Sequence, residues 1–148
     1  MNWTKDKSIL LSMICTVLCA VCLLALDVGA FRLIPWYCSF RAMPEKTAKI
    51  MVTLYSASVF GWICLAALWK LLHNIRSGEV FTDTNVKLLR ILSWTMAGAA
   101  VIFLVSGFCY EPFFFLSAAA AFMMLILRVV KNVFQQAVGM KSELDLTI

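Results

Sequence analysis

The residues with the most chemical potential in this chain are its cysteines. The stretch "CTVLCAVC" sets Cys15, Cys19 and Cys22 close together, and Cys19 and Cys22 form a C-x-x-C pair. Such a pair exchanges disulfides when its first cysteine sits at a helix N-terminus, where the dipole favours the thiolate. Here Cys19 falls inside an apolar run, so packing as a small apolar side chain is the favoured reading and thiol redox chemistry the lesser one. Cys38 and Cys109 are the other cysteines that could join the pair. His73 is the only histidine, and neither H-x-x-x-H nor paired C-x-x-C spacing accompanies it, so no metal site is expected. Arg128 is the only charge well inside an apolar run and can snorkel to the headgroups; Asp27, at the outer edge of the first run, reads the same way. There is no G-x-S-x-G, no phosphate loop and no H-E-x-x-H. No catalytic residue and no cofactor are assigned, and the chain is not expected to be an enzyme.

The elements that would position these side chains follow from composition. The 148 residues are 63% hydrophobic and 14% charged, with mean hydropathy +0.91. A soluble domain is roughly half apolar and a quarter charged, so the departure is toward a membrane protein. The net charge of +5 does not point to direct nucleic-acid binding, because Lys and Arg gather at the edges of apolar runs, as membrane topology signals do.

A spanning helix needs about 20 mostly apolar residues. Four stretches qualify, giving an all-α integral membrane bundle in a single domain, with helices at about 8–26, 50–69, 83–110 and 112–138. The first is long for a signal-peptide core and ends in Leu-Asp rather than a small-x-small site, so it is kept as a helix. Lys70, Arg76, Lys87 and Arg90 in the segment 70–90, with Lys131 and Lys141 in the tail 131–148, place the middle segment and both termini in the cytoplasm. Arg32, Arg41, Lys46 and Lys49 oppose this, since the same topology puts the first loop, about 27–49, outside. That loop is expected to lie along the headgroups, anchored by Trp36 and Tyr37.

Local signals fix the turns. Gly78 suits the position after a helix end. Thr82 is a good N-cap with Asp83 in the first turn, and Phe81 can staple the start of helix three. Pro112 suits the first position of helix four, with Glu111 before it, so helices three and four should form a tight outer hairpin. Their small residues, 97–100 and 117–121, allow close approach; counting outward from Glu111 pairs Ala100 with Ala121. The tail extends helix four until Gly139, and "ELDLTI" then alternates apolar and polar residues. The tail can pack as a lid on the start of helix three at Thr82, or offer Leu144, Leu146 and Ile148 to a partner by strand addition.

The Gly78, Phe81, Asn85-Val86, Leu89-Arg90 and Trp94 pattern, the Val129-Val130-Lys131-Asn132 stretch and the ending Glu143-Leu144-Asp145-Leu146-Thr147-Ile148 together resemble the bacterial membrane family catalogued as domain of unknown function 2975. "LALDVGAF" belongs to the same likeness, which covers nearly the whole chain. The resemblance implies a small four-helix protein of the bacterial cell membrane, multi-pass and without assigned activity. Such proteins are often encoded beside a small helix-turn-helix regulator. Its signature falls on the segment and the tail, so Phe81, Asn85, Arg90, Leu144, Leu146 and Ile148 are the candidate partner-binding residues. Three functions are carried forward: a non-enzymatic protein that regulates or docks a partner, such as that regulator, at the cytoplasmic face; a transport, channel or immunity-type membrane protein, which predicts a homo-oligomer; and a thiol redox protein using Cys19 and Cys22. The lipid bilayer is a partner in all three.

Overall fold

The structure is a computed structural model that describes residues 3–147, with side chains from residue 7 onward. It is all-helical, with no strand among the described residues. Four long helices, α1 (Trp3–Phe40), α2 (Thr47–Arg76), α3 (Asp83–Gly107) and α4 (Pro112–Thr147), are joined by short turns, and a 3-10 turn at Pro44–Lys46 leads into α2. All four are long and apolar enough to cross a membrane. Each packs mainly on its chain neighbour, so α3 lies against both α2 and α4 and is the most enclosed. One end of the bundle carries the start of α1, the turn 77–82 and the end of α4; this is called the terminal face. The opposite end is the hairpin face.

The longest departure from expectation is α1. The expected headgroup loop 27–49 is helical through Phe40, and only residues 41–46 turn. The physical reason is that a lipid-embedded chain must satisfy its backbone groups internally, which lets a helix run through a lone Gly29 and through Pro35. The helix ends without glycine: the Met43 N–H reaches Cys38 C=O at 2.9 Å, with Ala42 in the left-handed region at φ 54°. Trp36 and Tyr37 therefore stand on the last turns of α1. Tyr37 Oη lies 2.8 Å from Tyr110 Oη, and Thr53 donates to Ser106 Oγ at 2.7 Å, which ties α1 and α2 to the end of α3. The hydrogen bond with Tyr37, and then burial, push the Tyr110 phenol above its ordinary pKa, so it stays protonated.

At the terminal face the turn signals hold. Gly78 takes φ 85°, and Glu79 N–H reaches back to Asn74 C=O at 3.1 Å, closing α2. Thr82 caps α3, with Asp83 in the first turn. The apolar core lies at this end too: Ala67 and Leu71 of α2 meet Leu88, Leu89 and Leu92 of α3, covered by Leu127, Val130 and Phe134 of α4. Here α2, α3 and α4 share one seam.

Pro112 opens α4 as expected, and the α3–α4 hairpin is tight. Its register differs from the count. Ser117 Oγ, not Ala121, meets Ala100, donating to its carbonyl at 2.8 Å. That is one helical turn nearer the hairpin, because residues 108–110 lie in the turn and add no helical rise to α3. The end of α4 is also corrected: it runs helical through Gly139 to Thr147. The "ELDLTI" stretch is thus not a strand over its described residues, and Ile148 lies outside them.

Candidate functional site

Two polar clusters stand out against this apolar scaffold, one at the terminal face and one inside the span. The first is organised by Asn85, which is fully buried. Its Nδ2 donates to Glu79 C=O at 2.6 Å and to Val80 C=O at 2.8 Å. Its Oδ1 accepts from Asn74 Nδ2 at 2.8 Å, and its backbone N–H goes to Thr82 Oγ1. Every polar atom of the side chain holds the turn between α2 and α3, which leaves no surface for a partner. Asn85, expected among the partner-binding residues, is instead placed inside the turn that it builds.

Of the other predicted residues of this face, Phe81, Arg90, Leu144 and Leu146 are exposed, and Ile148 lies outside the described residues. Phe81 leans on Phe134 with ring centroids 5.6 Å apart, which joins the turn to α4 as the lid expectation required. Arg90 lines a cleft of about 210 Å³ between α3 and α4 with Ser93, Trp94, Arg128 and Lys131. Arg128 is exposed beside this cleft, not enclosed in the bundle. Leu144 and Leu146 are 65% and 86% exposed. The structure brings Phe81 and Arg90 to α4 but leaves the last two turns of α4 standing free of the bundle.

The second cluster was not anticipated. Asp27, expected at the outer edge of the first helix, sits within α1, about 20 Å along the helix from Phe40. Ser58 donates to its Oδ2 at 2.7 Å and Trp62 Nε1 donates to the same oxygen at 3.0 Å. Tyr55 Oη donates to its backbone carbonyl at 3.0 Å. Ser58 and Trp62 flank the centre of the apolar stretch 50–69, so the carboxylate lies near mid-span. Its other oxygen, Oδ1, is buried and has no hydrogen-bond partner. Asp27 also lines a cavity of about 270 Å³ to which all four helices contribute, among them Leu23, Phe60, Met96 and Ala120. In the sequence the only trace of this was one acid bounding an apolar run. The partners Ser58 and Trp62 are ordinary residues of a second run, and nothing local marks them.

All six cysteines are free, and Cys15, Cys19 and Cys22 are exposed on α1. They face outward rather than into the core, where a cysteine on an apolar helix surface still serves as a small apolar residue. His73 is exposed in the last turn of α2 and not in a loop. Among the described residues no group of His, Cys, Asp and Glu could hold a metal ion.

These features describe a multi-pass helical protein of membrane type with one polar cluster in its span. The family described as "Protein of unknown function (DUF2975)" matches residues 31–148. The chain belongs to that family, and Asp27 lies just before the matched region. Neither a curated protein nor a solved structure gives a match.

Proposed function

We propose that this is a non-enzymatic membrane protein that docks a cytoplasmic partner at its terminal face, in a regulatory role. The observation that carries the reading is the extra length of α4. About 20 residues from Pro112 suffice to cross a bilayer. The remaining residues, 132–147, project about 24 Å farther as helix. Met140 and Leu144 lie one turn apart on this extension, 60% and 65% exposed, with Leu146 beyond them. A helix that presents apolar anchors one turn apart suits a partner with an apolar groove. A small helix-turn-helix regulator is the kind of partner that the family resemblance suggests. The basic residues of 70–90 and 131–141 support a cytoplasmic placement of this face.

In-cell photo-crosslinking at Phe81 and at Leu146, with mass spectrometry of the products, tests the proposal. A single cytoplasmic protein attached at both positions is expected. Products confined to the chain itself, or to a second copy, would overturn it. A second reading, movement of a solute through the bilayer, is supported by the mid-span cluster at Asp27. Flux into liposomes carrying the chain tests that reading.

A further inference from the structure

We propose that Asp27, Ser58 and Trp62 form an intramembrane binding site for a protonated amine with an apolar body. The inference goes beyond the docking reading and deepens the transport reading by naming its solute class. A carboxylate in a bilayer is costly and must find partners. Here both donors converge on one oxygen, Oδ2, while the buried Oδ1 has none. Among the described residues no Lys or Arg pairs with Asp27. Buried polar atoms without a partner are rare, and each asks for a reason. In its ionised form a carboxylate only accepts hydrogen bonds, so in that form the group that completes Oδ1 is a donor. A cation that donates N–H bonds meets both needs at once.

The surroundings select among cations. A divalent ion requires a shell of oxygen ligands, and the neighbours of Asp27 offer two hydroxyls, those of Ser58 and Tyr55, both already donating to it, among aliphatic and aromatic side chains. The cavity beside it, about 270 Å³, is walled by Leu23, Leu26, Phe60, Met96 and Phe103. It suits an ammonium whose substituents are apolar, with Phe60 and Phe103 among its walls. Trp62, which holds Oδ2, lines a groove of about 500 Å³ between α1 and α2 with Val17, Leu24 and Trp69. The groove is apolar, and Trp62 is the residue that sets it beside the carboxylate.

The experiment is equilibrium binding of radiolabelled phenethylammonium to the full chain in phosphatidylcholine nanodiscs, with empty nanodiscs as the partition control. Phenethyl alcohol serves as the neutral counterpart. One saturable site per chain is expected for the ammonium and not for the alcohol. Asp27→Asn should weaken it at least tenfold. Trp62→Phe, which keeps an aromatic ring and loses the N–H, and Ser58→Ala should each change affinity several-fold. Thermal unfolding of each variant separates loss of the site from loss of the fold; if Asp27→Asn does not fold, Asp27→Glu and Ser58→Ala carry the test. Binding no greater than to empty nanodiscs, equal binding of the alcohol, or unchanged affinity in folded variants at Asp27 or Ser58 would overturn the proposal. A saturable ammonium site without liposome flux would retain the site and remove only the transport reading.

Discussion

Asn85 and Asp27 are both polar side chains set in an apolar protein, the first fully buried and the second half-buried with one buried oxygen, and they are opposites in how they are satisfied. Asn85 has two donors and one acceptor in use, each within 2.8 Å of a partner in the turn or at the end of α2. Asp27 has two donors on one oxygen and none on the other. The difference teaches how to separate structure from function in a protein with so little polar surface. A polar group whose capacity is used up locally is part of the scaffold. A group left with buried, unused capacity is where a ligand has something to gain.

The comparison breaks most easily at Asn85. Asn85→Ala should cost about 3 kcal/mol, because it strands two carbonyls in a turn they cannot leave. Thermal unfolding in detergent would check this, and a loss below about 1 kcal/mol would mean that the turn is held by Gly78 and the Thr82 cap instead. The next effect sharpens the other side. A Cβ on Gly98 would lie 2.5 Å from the Phe60 ring, and Phe60 walls the cavity beside Asp27. Gly98→Ala should cost about 1.5 kcal/mol by overpacking and push the ring into that cavity. The same unfolding assay, with Phe60→Leu as the compensating change, reads the first effect, and ammonium binding reads the second.

Asp27→Asn should move stability by less than about 1 kcal/mol, since the Ser58 bond has an acceptor in either residue and the orphan oxygen has no bond to lose. A loss as large as that at Asn85 would make Asp27 a structural staple between α1 and α2, and the contrast would collapse. The smallest effect is at Ser117. Ser117→Ala removes the bond to the Ala100 carbonyl, which also sits in a helix, and such interhelical bonds in membranes average about 0.6 kcal/mol. A monomer-folding assay in mixed micelles would show whether this bond, or the small-residue contact around it, fixes the α3–α4 register.

What the sequence determined by itself was whatever depends on local composition and chain stiffness. Four long apolar runs specify four helices in lipid, Gly78 and the Thr82 cap specify one turn, and Pro112 specifies the start of α4. What only the tertiary structure decided was whatever depends on partners far apart in the chain. Ala42 could end α1 without a glycine because residues around it hold the turn. The pairing of Ala100 with Ser117 depended on where the helices stop, which no count along the chain supplies. Asn85 looked like surface because its partners, Glu79, Val80 and Asn74, are reached only when the turn folds back. Asp27 looked like an edge residue because composition reads a charge as the end of a span. In the folded protein, Ser58 and Trp62, some 30 positions away in the chain, carry that charge at mid-span.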